Sequence, residues 1–375
     1  MEEYTRIQVM KKTKTALTIS LLIFAAPLLL TAQTTPQKAA KPAVKKAAAK
    51  PVAKSAAKPA AKPTAAPVTQ PAAQPAAKPQ PASVTKVLSP FEEAVEKLKS
   101  MEPSVRRQGA DFLGQSHDPK AVPHLMKALS DEAAAVRASA VDGLCQLVHR
   151  PAIAKISEML TQDKDPMVRQ QAASSLAYMA DQSSGPALLK ALKDDAPSVR
   201  YAAANTLGSM HYAPAEDQLA GLLADPGMRR VAISALGQLQ SKKSAGEILK
   251  YLSDGDKYTR LEAVRALGSI GDTSAAKDLE KCLAKEEEAS VRVEAALALA
   301  KLRNPAGLVT AYEFVKSQDM SLKNQALEVI GAVGDKRSLQ FIEELYAAEQ
   351  NPVDKSMLDF TRQRLAARLA SKNKP

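Results

Sequence analysis

The sequence predicts an all-α protein, an α-solenoid of about eight stacked helical hairpins. Three observations indicate this fold. A pattern of basic, aliphatic and small residues recurs along the chain, a second apolar pattern follows each copy in fixed register, and aromatic residues are scarce. A chain with 45% hydrophobic but only 4% aromatic residues and no tryptophan favours thin layers of stacked helices over a globular α/β enzyme.

The first helix of each unit is marked by a basic residue that recurs about every 31 residues. The markers are Arg106, Arg137, Arg169, Arg200, Arg229, Arg260, Arg292 and Lys323. In the unit of Arg200, the small residues Ala203 and Gly208 and the aliphatic Leu207 follow, and equivalents recur in the other units. Such spacing predicts one buried helical face, on which the small residues let neighbouring helices approach closely.

A second helix keeps the same register in every unit. Its apolar residues recur at i and i+4, as Leu219 and Leu223 do, and therefore lie on one helical face. Neither helix could bury its apolar face alone, so each unit needs neighbours on both sides. We expect this repeat body to span residues 91–372, with a C-terminal capping helix over 352–370.

The amino terminus has the pattern of a secretory signal peptide. A basic stretch follows Met10, an apolar run extends from Ala16 to Leu30, and Ala32 precedes a polar segment. This order predicts a signal peptide over residues 1–32, with translation starting at Met1 or at Met10. The run is shorter than the roughly 20 residues of a transmembrane helix. We expect export to the periplasm or the extracellular space, or an inner-membrane anchor if the signal is not cleaved.

Residues 33–90 are dominated by Ala, Pro and Lys, and the recurrent prolines predict a disordered, extended linker. The net charge of +12 belongs to this end of the chain, because residues 1–91 carry 14 Lys/Arg and 2 Asp/Glu. The repeat body therefore has no overall positive field, which argues against nucleic acid as a partner. The tail is either a spacer or a means of binding an anionic cell-wall polymer or a membrane.

The repeats resemble HEAT repeats, specifically the short HEAT-like repeats of the phycobilisome lyase family. Segments that carry the resemblance are Pro103-Ser104-Val105-Arg106, Pro166-Met167-Val168-Arg169 and Pro197-Ser198-Val199-Arg200. The resemblance covers about residues 100–350 and implies a fold but no particular function, because such repeats serve many scaffolds and a few enzymes.

The resemblance also implies a structural ladder in which the basic markers bond acidic residues of neighbouring units. Its arginines would be Arg106, Arg137, Arg169, Arg200, Arg229, Arg260 and Arg292. The acidic residues stand six positions before a marker, at Asp131, Asp163, Asp194, Asp254 and Glu286. The fifth unit departs from this pattern because it is short and enters its first helix through Pro226-Gly227-Met228-Arg229. A ligand-binding stripe of arginines is the alternative interpretation.

No motif outside the repeats predicts catalysis. His117 and His211 hold the same loop position three units apart and cannot share a metal ion, and Cys145 and Cys282 occupy helix-packing columns. The sequence has no phosphate-binding loop and no nucleophile elbow. We therefore expect no catalytic residue, no cofactor and no metal site, and a protein that is not an enzyme.

The remaining candidate is the surface of the second helices, which the resemblance places on the concave face of the superhelix. One column changes from mostly basic to acidic along the stack: Lys127, Glu158, Lys190, Gly221, Lys250, Lys281, Glu313 and Glu344. It predicts either plain solvated charge or a groove for an extended, charge-patterned protein partner. Tyr312 and Phe341 would be exposed aromatic anchors in such a groove.

Together these patterns favour an exported, non-enzymatic scaffold that binds a protein partner, whose identity the sequence leaves open. Two alternatives come from other functional classes. One is a cytoplasmic, nucleic-acid-associated protein that binds through its basic Lys/Ala/Pro tail. The other is an enzyme that resembles the bilin lyases.

Overall fold

The computed structural model describes residues 88–372. Within this range the chain forms α-helices joined by short 3-10 turns and no strand, which confirms the predicted all-α solenoid. None of the helices in this range is long and apolar enough to span a membrane. The predicted signal peptide over 1–32 lies outside the described residues, as does nearly all of the linker predicted over 33–90.

The helices follow one another as hairpins along the whole described range. In chain order they are α1 Pro90–Lys97, α2 Pro103–Gln115, α3 Val122–Ala128, α4 Ala134–Gln146, α5 Ile153–Gln162, α6 Pro166–Met179, α7 Gly185–Ala191, α8 Pro197–Ser209, α9 Glu216–Gly221, α10 Arg229–Gln238, α11 Ala245–Leu249, α12 Lys257–Ile270, α13 Ala276–Lys285, α14 Ala289–Lys301, α15 Leu308–Phe314, α16 Met320–Val333, α17 Lys336–Ala348 and α18 Pro352–Lys372. The even-numbered helices α2 to α16 are the first helices of units 1 to 8, and the odd-numbered helices α3 to α17 are the second helices. Helices α1 and α18 close the two ends.

The first helices pack directly on one another through their small residues. A Cβ atom added to Gly237 would lie 2.8 Å from the Cα atom of Ala266 in the next unit. One added to Gly268 would lie 2.9 Å from the Cα atom of Ala298. Beside these contacts the aliphatic column is fully buried, at Leu113, Leu144, Leu176, Leu207, Leu236, Leu267, Leu299 and Ile330. The first helices thus form a continuous, closely spaced layer.

A left-handed residue turns the chain from the first helix towards the second helix in seven of the units. These residues have φ between 46° and 73°: His117, Val148, Ala180, His211, Gln240, Gly271 and Arg303. Only Gly271 is a glycine. Such a residue ends a helix because its conformation redirects the backbone after the last turn. A 3-10 turn follows in each of these seven units and leads into the second helix.

The arginine markers connect neighbouring units. Arg137 donates from Nε to Asp163 Oδ2 at 2.8 Å and from Nη2 to Asp163 Oδ1 at 2.7 Å. Its Nη1 group donates to the backbone carbonyl of Asp131 at 2.9 Å. Three further bidentate pairs have the same form: Arg106 with Asp131, Arg169 with Asp194, and Arg260 with Glu286. Because each pair is largely shielded from solvent and bidentate, it is a strong, directional link between units.

The other rungs are less regular. Arg229 reaches Asp254 only through Nη1, at 3.3 Å. Arg292 bonds Glu313, and the lysine of unit 8 bonds a carboxylate of α18. Arg200 donates only to backbone carbonyls and has no carboxylate partner within the described residues.

We expect a regular rung to make the stability of the solenoid depend on pH. Hydrogen bonding by Arg169 lowers the pKa of the Asp194 carboxyl group. A pKa that is lower in the folded state stabilises the fold above the pKa of the unfolded state, and this stabilisation is lost as the pH falls through the folded pKa. The variant Asp194→Asn should lower the free energy of unfolding by about 2 kcal/mol at pH 7. In urea titrations followed by circular dichroism, this difference from the wild type should disappear in acid.

The matched control is Asp217→Asn, which removes a carboxylate from an exposed ion pair with Lys243. Both side chains of that pair are more than two-thirds exposed, so its loss should leave the free energy of unfolding essentially unchanged. An equal effect of the two variants, or an Asp194→Asn effect that does not shrink as the pH falls, would contradict the structural role of the rung.

Candidate protein-binding surface

The charged column of the second helices lies on the solvent side of the solenoid. All seven of its charged residues are exposed: Lys127, Glu158, Lys190, Lys250, Lys281, Glu313 and Glu344. They are exposed because each stands two positions after a core residue of its helix, which places it on the opposite face. Gly221, the uncharged member, has open space around its Cα atom. We call these eight positions the charged column.

Several members of the charged column pair with neighbours on their own helix. The pairs are Lys155 with Glu158, Glu247 with Lys250, and Asp278 with Lys281, at 2.6–3.0 Å. Exposed pairs three residues apart contribute little to stability and exchange partners easily. Lys127 and Lys190 make no ion pair within the described residues. These charges are therefore available to a partner, whereas Glu313 is already bonded to Arg292 of the ladder.

A cleft of about 760 Å³ lies between units 5 and 6. Lys250 and Lys281 of the charged column line it, together with Lys285. Asp254 and Glu286 of the ladder line it as well. Both signs of charge therefore face the cleft, which suits a polar or charged chain segment better than an apolar ligand.

The two predicted aromatic anchors are not exposed. Tyr312 and Phe341 are half-buried, and their rings pack edge to face with centroids 5.1 Å apart. The Tyr312 hydroxyl group shares a hydrogen bond of 2.6 Å with Ser338 Oγ. Both rings pack against the core of the last units. The expectation of free-standing aromatic side chains is wrong, because the second helices of units 7 and 8 turn these rings towards each other.

Three exposed tyrosines lie instead on first helices, where the sequence interpretation did not place them. Tyr178, Tyr201 and Tyr258 are 65%, 55% and 56% exposed. The guanidinium group of Arg230 lies 5.9 Å from the centroid of the Tyr258 ring. A sequence signal existed at Tyr178 and Tyr258, whose repeat positions hold mostly small or polar residues in other units.

The cysteines and histidines are dispersed. Burial raises the pKa of the Cys145 thiol to about 12 and that of the Cys282 thiol to about 11, so neither is a thiolate at neutral pH. His124 is half-buried, and its ring packs edge to face on Phe91. Within residues 88–372 no three His, Cys, Asp or Glu side chains converge to hold a metal ion.

The chain is similar to several known proteins. The phycocyanobilin lyase subunit alpha of Nostoc sp. is 29% identical over 274 residues, which cover 67% of this chain and 94% of that subunit. One chain in the solved complex of CpcE and CpcF of phycocyanin lyase from Nostoc sp. is 25% identical, with a TM-score of 0.40. The match covers 69% of this chain and 98% of that chain. YibA of E. coli is 16% identical, with a TM-score of 0.47, over 68% and 95% of the two chains.

The expectation that the chain is not an enzyme is contradicted by this comparison. The curated relative, which the alignment covers over 94% of its length, is a subunit of a lyase. The expectation rested on the absence of a separate catalytic motif in the sequence. Helical repeats serve both scaffolds and enzymes, so their fold and their core pattern carry no information on this point.

The repeat pattern itself extends through nearly all of the described residues. The profile of HEAT repeats matches residues 91–177, 153–227, 218–300 and 281–358. These overlapping matches span all eight units. They cover well over half of the 375 residues. The chain belongs to the HEAT-repeat family.

Proposed function

We propose that the chain binds a partner protein through the charged column of its second helices. The observation that carries this proposal is the charge order of that exposed column. Between units 1 and 6 it is mostly basic, and in units 7 and 8 it is acidic. The ion pairs along it are local and weak, so a partner with complementary charge could replace them at little cost.

The geometry favours an extended segment of the partner. Stacked helices are 8–10 Å apart, so each unit advances the column by about 10 Å. An extended chain covers this distance in roughly three residues. We therefore expect the partner to carry acidic residues about three to six positions apart, opposite the lysines of units 1, 3, 5 and 6, followed by a basic residue where it reaches Glu344. The name of the curated relative supports a protein partner, because that protein is a subunit of a larger enzyme.

Reversing the charges of the column should weaken binding. We expect the double variant Lys250→Glu, Lys281→Glu to lower the affinity for the partner about tenfold at low salt and less at high salt. The partner would first be captured from a host extract on the immobilised chain, identified by mass spectrometry and purified. Its dissociation constant would then be measured by calorimetry at 50 and 300 mM salt.

The control is Lys301→Glu, which reverses one exposed charge on a first helix, away from the charged column. It should leave the affinity unchanged. Equal weakening by the control, or an unchanged affinity of the double variant, would contradict the proposal.

A second candidate function is participation in a bilin lyase reaction, which the relationship to phycocyanobilin lyase subunit alpha favours. In that case the chain, mixed with a second lyase subunit, should promote attachment of phycocyanobilin to phycocyanin. The measurement is the covalent bilin fluorescence of the phycocyanin band after denaturing electrophoresis. Reactions without this chain are the control, and equal labelling in both would contradict this candidate.

We also propose that the chain acts outside the cytoplasm, from the composition of residues 10–32. Fractionation of the native host should yield a protein whose first residue lies near Gln33 in the periplasmic or extracellular fraction. N-terminal sequencing provides the measurement. A cytoplasmic protein that still begins at Met1 or Met10 would contradict export.

A further inference from the structure

Arg200 differs from the other ladder arginines in one respect. Its Nη1 group donates to the backbone carbonyls of Asp194 at 2.8 Å and Asp195 at 3.1 Å, as the equivalent group of Arg137 does in its own unit. Its other edge, formed by Nε and Nη2, has no hydrogen-bond or ion-pair partner in residues 88–372. In Arg137 and Arg169 the same edge holds a carboxylate at 2.7–2.9 Å.

The cause lies in the short loop of unit 5. Asp225 stands at the same forward distance from Arg200 as Asp194 does from Arg169. It even makes the same turn, because its Oδ1 atom accepts from the N–H group of Gly227 at 2.8 Å. Only three residues separate Asp225 from Arg229, however, whereas five separate Asp194 from Arg200. The shorter connection leaves the Asp225 carboxylate exposed and unpaired with Arg200.

No other group in residues 88–372 fills the gap. Arg229 turns its Nε group onto the backbone carbonyl of Leu223 at 3.1 Å, and the Tyr251 hydroxyl group donates to the same carbonyl at 2.8 Å. The guanidinium group of Arg229 then lies over the Tyr251 ring, 5.0 Å from its centroid. Leu223, Arg229 and Tyr251 are therefore bonded to one another and supply no acceptor to the free edge of Arg200.

We propose that the free edge of Arg200 is a binding site for a carboxylate group that comes from outside the chain. The two carbonyl bonds to Nη1 fix the plane of the guanidinium group, so its Nε–Nη2 fork is already oriented for a bidentate acceptor. Little side-chain entropy is lost when such a preoriented group binds. The neighbouring rungs show that a carboxylate fits this edge at normal hydrogen-bond distances.

The test uses the full chain labelled with [15N]arginine and observes the Nε–Hε signals by NMR, with acetate as the probe. Ionic strength is held constant with chloride. The Arg200 signal, identified by its loss in Arg200→Lys, should shift saturably and exchange more slowly with water as acetate rises. The signals of Arg137 and Arg169, identified in the same way, should not shift. An Arg200 signal that does not respond, or that is already as protected as the controls without acetate, would overturn the proposal.

A second variant supplies the missing carboxylate within the chain. Inserting Asp-Ala between Asp225 and Pro226 gives the sequence Asp-Asp-Ala-Pro, which is the sequence of residues 194–197. This variant should raise Tm by about 2–4 °C, and acetate should no longer shift its Arg200 signal. An Arg200 signal that still responds to acetate, in a variant whose Tm is unchanged, would overturn the proposed cause.

Measuring the affinity of the partner protein distinguishes two sources of the natural carboxylate, the partner itself and a small molecule. If the partner supplies it, Arg200→Lys should weaken partner binding about tenfold while Lys301→Glu does not, since a bidentate contact is lost. If the carboxylate belongs to a small molecule, Arg200→Lys should bind the partner as tightly as the wild type does. The Arg200 signal of the wild-type chain should still respond to acetate. Failure of partner binding through the charged column would leave the acetate response intact, so the two proposals fail separately.

Discussion

The fold depends on how closely the first helices approach one another. At Gly237 and Gly268 the backbone of the next helix lies where a side chain would begin, so these positions accept almost nothing larger than hydrogen. This close approach buries the neighbouring leucines completely without any aromatic side chain. It also makes each unit depend on its immediate neighbours, which is the general property of solenoids.

The ladder complements this packing. Small residues bury little area, and helix packing alone is poorly directional. The bidentate rungs add bonds with fixed geometry between each marker and the loop of the next unit, while the Nη1 group ties the marker to its own loop. A rung therefore fixes both the spacing and the rotation of adjacent units. Because contacts are local, an irregular rung alters its own surroundings and leaves distant units unchanged.

Periodicity predicted the helices and the buried columns because both repeat in every unit. It could not predict features that depend on a single unit. Tyr312 and Phe341 face each other only because of how units 7 and 8 pack, which their helical positions do not reveal. Asp225 stands at the right distance from Arg200 in the sequence, and only the path of the short loop shows that the two do not meet. Whether the chain takes part in an enzyme was also beyond what the repeat pattern can predict, because the buried columns specify the fold alone.

The regular and irregular parts of the solenoid are therefore suited to different tasks. Positions that repeat in every unit serve the stack, since they meet the same neighbour each time. A residue that breaks the repeat lacks that neighbour, so its polar groups can bind another ligand. Three of the irregular features lie close together in units 4 to 6: the free edge of Arg200, the single bond of Arg229 to Asp254, and the cleft lined by Asp254. The charged column passes through the same units, so a partner that follows it would meet these irregular sites in succession.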